Sequence, residues 1–150
     1  MFKHFIFAAM TAALVACSGP AGDAGSSNAA RFVNAEVSAD TRLAAVLIYA
    51  DWCGSCKVLD PKLQSAKAEG PIAGLQHFVL NYTDRDEDAL FTAADELGFG
   101  APIREKLSDG VKTGILLLVD LDDGTVVGDL RKELSAEEIR AAMVAATNAA

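Results

Sequence analysis

Cysteine and histidine are scarce: the 150 residues hold three Cys and two His. A structural zinc site needs about four such ligands. Besides Cys53 and Cys56 the only candidates are His4, Cys17 and His77, the first two near the N-terminus. No second C-x-x-C exists, which argues against a zinc ribbon within one chain. Basic residues are the minority, 13 Lys and Arg against 21 Asp and Glu, so no basic patch for nucleic acid is visible. The Phe residues beyond residue 16 are scattered and read as core, not as a base-stacking platform. Long apolar runs are missing too. The stretch 5–16 has twelve residues, short of the roughly 20 that a membrane-spanning helix needs.

That stretch has the length of a signal h-region, preceded by a short basic start at Lys3 and His4. Leu14-Val15-Ala16-Cys17 closes it and resembles the bacterial lipobox. In such signals cleavage falls before the Cys, which becomes the lipidated N-terminus. Residues 1–16 are thus expected to be a lipoprotein signal peptide, with Cys17 lipidated; the alternative is an ordinary secretory signal with an incidental Cys. Lipidation of Cys17 removes the odd thiol and leaves Cys53 and Cys56 as the only pair. Several acyl chains on one residue hold a protein on a membrane far better than one. Ser18 stands where an Asp signals inner-membrane retention, so the outer membrane is favoured over the inner. Losing Lys3 takes the formal charge from −8 to −9, so the acyl chains, not anionic lipid head groups, would make the attachment. Residues 18–30 contain no large apolar side chain and read as a flexible tether, 17–30 with its lipidated Cys. Its root-mean-square reach is about 20 Å. Residues 31–150 suit one domain with a real core.

The most informative segment is Trp52-Cys53-Gly54-Ser55-Cys56-Lys57, entered directly from the apolar run 44–50. Two cysteines separated by two residues, where a strand gives way to a helix, form a dithiol that can close into a disulfide. A helix starting at Cys53 would surround its sulfur with unpaired N–H groups at the positive end of the helix dipole. That favours thiolate, the species that attacks disulfides. A purely structural disulfide across two residues would gain little loop-closure entropy.

From Val46 through Lys57 the chain resembles the thioredoxin family's second core strand running into its active-site turn. Pro61 falls where the family kinks its active-site helix. The wording Ala50-Asp51-Trp52-Cys53 is similar to periplasmic thioredoxin-like domains that relay electrons in the bacterial envelope. The resemblance implies an α/β thioredoxin fold, a central mixed sheet flanked by helices, and thiol–disulfide oxidoreductase activity. Cys53 and Cys56 would be the catalytic residues and the redox-active disulfide, with Trp52, Gly54, Ser55, Lys57, Thr113 and Gly114 as active-site support. No cofactor and no metal are implied. The expected partners are envelope proteins bearing thiols or disulfides and an upstream membrane or periplasmic electron donor or acceptor. The expected location is the cell envelope, lipid-anchored and facing the periplasm.

The rest of the chain has a matching order. Residues 42–50 read as a central strand apolar on both faces, after a possible short strand at 32–37. A helix over 53–68 would bury Val58, Leu59, Leu63 and Ala66, bend at Pro61 and end at Gly70-Pro71. Residues 75–82 alternate as a strand, and 86–97 form an amphipathic helix stopped by Gly98. Residues 115–121 and 125–130 make a hairpin around Asp122-Asp123-Gly124. Ser135 and Glu138 form a capping box for a last helix with Ile139, Met143 and Ala146 inward.

Three departures from the family stand out. The family's cis-proline loop faces the dithiol; counting back from Leu116, that position falls on Gly114 after Thr113, with Pro102 as the rival. Leu47 occupies the place of a buried aspartate that assists proton transfer, leaving Glu36, Asp51, Asp60 and Lys57 as nearby charges and water as the alternative acceptor. About thirty residues separate Asp84 from Gly114, an insertion over 98–110 with a short helix expected at 102–107. Ser55 replaces the proline common in reducing thioredoxins. His77 reads as a packed or half-exposed strand residue, and Trp52 as a cover over the sulfurs. Two rival functions keep the same residues: a redox-inert binding or chaperone-like module, and a metal carrier using the dithiol.

Overall fold

The computed structural model describes residues 37–150. The signal, Cys17, the tether, Glu36 and most of the expected leading strand lie outside the described residues. Four strands form one mixed sheet in the order β2-β1-β3-β4. They are β1 (Leu43–Tyr49), β2 (Leu75–Asn81), β3 (Ile115–Asp120) and β4 (Thr125–Arg131). β1 runs parallel to β2 and antiparallel to β3, and β3 and β4 form an antiparallel hairpin with a bulge at Leu118/Val119.

The helices are α1 (Gly54–Ala68), α2 (Glu87–Glu96), α3 (Gly100–Lys106) and α4 (Ala136–Ala149). Strand side chains alternate between faces, and the two faces of β1 feed two cores. Ala44, Val46 and Ile48 join Ile115, Leu117 and Val119 against Leu90 of α2 and Ile103 of α3. Leu43, Ala45 and Leu47 join Leu116 and Leu118 against Leu59 and Leu63 of α1 and Ile139 and Met143 of α4. A strand covered on both faces has no polar side, which explains the unbroken apolar reading of 43–48.

α1 continues through Pro61, although proline supplies no N–H to the helix ladder. Its buried positions are Cys56, Leu59, Leu63 and Ala66, a single stripe. Val58 departs from expectation. It sits four residues after exposed Gly54 on the outer side, 45% exposed, because one step from Leu59 turns it about 100° off the stripe. The insertion holds α3, displaced slightly from the expected 102–107, with Pro102 buried in its first turns. α4 begins with the Ser135–Glu138 capping box, both reciprocal bonds present.

Candidate functional site: the Cys53–Cys56 dithiol

β1 ends at Tyr49, and the turn 50–53 is closed by the Cys53 N–H donating to Ala50 O at 3.1 Å. Cys53 is the N-cap of α1, with extended backbone angles (φ −81°, ψ 111°). Its sulfur accepts the Cys56 N–H at 3.2 Å, taking the part that a serine or aspartate oxygen usually plays at a helix start. Both cysteines are buried and both are free thiols. Tyr49 and Ala50 pack against them.

The two sulfurs have opposite chemistry. Burial pushes the Cys53 thiol up, but hydrogen bonds from the Cys56 and Thr113 side chains and the Cys56 and Ser55 N–H groups outweigh it, so its pKa lies below the ordinary 9.0. Burial, with the adjoining Cys53 sulfur, pushes Cys56 up to about 12, against the N–H groups of Ala50 and Gly114. The Cys56 thiol donates to Ile48 O at 3.8 Å. Cys53 is therefore the more acidic thiol, and Cys56 stays protonated at neutral pH.

Thr113 and Gly114 come in from the segment before β3. Gly114 has φ +75°, and its N–H donates to Ile48 O at 2.8 Å, the same carbonyl that receives the Cys56 thiol. A Cβ on Gly114 would fall 3.2 Å from Cys53 Sγ and 3.3 Å from Cys56 N. The described residues contain no cis peptide bond. Pro102 lies within α3, away from this segment of backbone. Position 114 does not suit a proline. A proline ring requires φ near −65° and has no N–H, whereas this position uses positive φ and its N–H.

Ser55 packs its Cβ toward Gly114, Gly54 is exposed, and Lys57 points to solvent. Leu47 is buried among apolar side chains of the α1/α4 core, so no acid replaces the family's aspartate there. Asp51 is exposed, and Asp60 accepts from Gln64 within α1. The Trp52 indole Nε1 donates to Thr83 O at 2.9 Å, with Arg85 stacked 4.4 Å from the ring centroid. Asn81, Thr83 and Arg85 are absent from the residues the sequence pointed to; the only signal for them is the polar run at the end of β2 and after it. Among the described residues, no three His, Cys, Asp or Glu side chains come together as a metal group.

Residues 26–92, a segment containing both cysteines, match the thioredoxin family model. Over that segment the chain is similar to thioredoxins. The crystal structure of Trxlp from Edwardsiella tarda EIB202 is similar at 21% identity and TM-score 0.44, covering 68% of this chain and 82% of that one. No curated protein matches the sequence. A nearby thiol pair on a sheet and helix of this kind is compatible with thiol–disulfide redox chemistry.

Proposed function

We propose that this chain is a thiol–disulfide oxidoreductase of the bacterial envelope, tethered through lipidated Cys17 and exchanging disulfides with protein partners through Cys53 and Cys56. The observation that carries the reading is the split between the thiols: Cys53 below its ordinary pKa, Cys56 raised to about 12. A nucleophile must be ionised, while a resolving thiol must wait.

The Cys53 thiolate attacks one sulfur of a partner disulfide. The partner's S–S bond breaks, a mixed disulfide forms, and the released partner thiolate takes a proton from solvent. Two of the influences holding Cys56 protonated come from the Cys53 sulfur, its hydrogen bond and its charge. Both vanish once Cys53 is bonded to the partner, whereas the Ala50 and Gly114 N–H groups remain to favour a Cys56 thiolate. Its proton passes to water, since Leu47 offers no base. Cys56 then attacks Cys53 Sγ, closing the Cys53–Cys56 disulfide and releasing the second partner thiol. Two electrons and two protons have moved to the partner. An upstream donor must reduce the pair again; run backward, the same steps oxidise a dithiol.

Incubating the reduced protein with a disulfide-bonded protein substrate tests the reading. Substrate reduction with formation of one intramolecular disulfide supports it. The absence of any reducible Cys53–Cys56 disulfide in a redox titration would instead leave a binding module. Stoichiometric metal in untagged protein would favour a carrier. A reduction potential near about −270 mV fits a reductant and one near about −120 mV an oxidant. Cys17→Ala should move the protein from membranes to the soluble fraction with its redox chemistry intact.

A further inference from the structure

Between β1 and α1 the nucleophile hangs on a two-residue turn, Asp51 and Trp52, both exposed. That turn is fastened to one residue of the neighbouring loop. The Asp51 N–H donates to Thr83 Oγ1 at 3.0 Å, and the Trp52 indole donates to Thr83 O at 2.9 Å. Thr83 is itself held by Asn81, whose Oδ1 accepts the Thr83 N–H at 2.9 Å and the Thr83 hydroxyl at 2.5 Å. With its hydroxyl proton committed to Asn81, Thr83 Oγ1 can only accept from Asp51. The bonds therefore run in one direction, each polarising the next. Asn81 in turn ends β2, opposite Tyr49 in the register of β1.

The loop grips the same turn from its outer side as well. Arg85 has φ +60°, the one non-glycine residue with positive φ among those described. Such a conformation is uncommon for a residue with a Cβ, and strain of this kind clusters at functional sites. Here it carries the guanidinium over the Trp52 ring, while Tyr82 meets that ring edge-on at 6.4 Å between centroids.

We propose that Asn81 and Thr83 are positioning residues for the thiol chemistry, a clip that fixes the Asp51–Trp52 turn and so the aim of Cys53 Sγ, with Arg85 as its third hold. The inference rests on Cys53 being the attacking thiol, as proposed above. The physical link is short. Cys53 Sγ is favoured as thiolate only where the Ser55 and Cys56 N–H groups and the Thr113 hydroxyl point at it. Rotation of the backbone at 51–53 carries the sulfur away from those donors. The titratable group facing Cys53 is Cys56; Asp51, Lys57 and Lys112 are solvent-exposed.

The test uses the reduced full chain and needs no partner protein, so it reports even if no disulfide substrate is found. The rate of Cys53 alkylation by iodoacetamide is followed from pH 5 to 9, where Cys56 remains protonated. Trp52, the single tryptophan, supplies fluorescence anisotropy from the same samples. Thr83→Val, which keeps shape but loses the hydroxyl, should move the alkylation midpoint upward and slow alkylation at pH 7 by about three- to tenfold, the effect of roughly one lost hydrogen bond. Trp52 anisotropy should fall. Thr83→Ser, which keeps the hydroxyl, should restore both. Arg85→Gly is expected to fold normally, since glycine suits positive φ; it should lower the anisotropy and move the midpoint upward by less. Unchanged midpoint and anisotropy in Thr83→Val, or in Arg85→Gly should the valine variant not fold, would overturn the proposal. A substrate assay failing while these shifts appear would count against the oxidoreductase reading alone.

Discussion

Gly114 and Ser55 pack so closely that a Cβ on the glycine would fall 2.5 Å from the Cβ of the serine. The loop before β3 thus meets α1 backbone to side chain, with no room for a residue between them. Gly114→Ala adds an atom in that gap and a side chain at φ +75°. Destabilisation of about 2 kcal/mol or more is expected, from unfavourable positive φ together with overpacking. Gly114→Pro should be worse, because it also deletes the N–H bond to Ile48 O. Urea unfolding of both variants measures this. A Gly114→Pro protein as stable as wild type would mean that the loop does not sit as described.

Labelling reduced protein with limiting alkylating reagent at pH 7 should modify Cys53 alone, since the Cys56 pKa is pushed up to about 12 and the thiol is protonated at that pH. Cys53→Ser should abolish disulfide exchange, and Cys56→Ser should accumulate mixed disulfides that a stronger thiol releases. Peptide mapping that found Cys56 labelled first would reverse the two roles.

His77 gives a second pH-dependent quantity. Burial, with Lys67 nearby, lowers its pKa from 6.5 to about 4, and its Nδ1 is buried without a partner. Between these values the unfolded chain binds the proton and the folded one does not, so stability falls as pH drops from about 6.5 toward 4. After allowance for the ring's partial exposure, the loss between pH 7 and pH 5 is about 1 kcal/mol. His77→Leu should remove that slope and equal or exceed the wild type at pH 5. Parallel curves for the two proteins would show that His77 titrates normally.

Ser135→Ala removes the acceptor for the Glu138 N–H, one half of the capping box. A cost of about 1 kcal/mol is expected. Thermal denaturation gives the value, and Ser135→Asp should retain most of the stability.

Much of this architecture was legible along the chain because its causes are local. The apolar run into Trp52-Cys53 reads as a doubly covered strand, and the Ser135–Glu138 spacing marks a helix start from neighbouring residues alone. Glycine at 114 was placed opposite the dithiol by counting back from β3. The burial of Val58 was misjudged because an apolar residue next to Leu59 looks internal until the stripe of α1 is set against the sheet. The hold of Thr83 and Arg85 on the Trp52 indole was not legible, because nothing in the sequence around Trp52 names a partner more than thirty residues away.

Chain order and residue chemistry by themselves determined a thiol pair at a strand-to-helix junction, the elements around it and a glycine opposite. Those are properties of neighbouring residues, set by periodicity, capping and backbone freedom. The tertiary structure alone decided that Ile48 O receives both the Cys56 thiol and the Gly114 N–H, and that Thr83 holds the turn leading into Cys53. These contacts join segments more than thirty residues apart or depend on the exact aim of one carbonyl. A hydrogen bond is decided by tenths of an ångström and a few tens of degrees, and such precision exists only once the strands are in register.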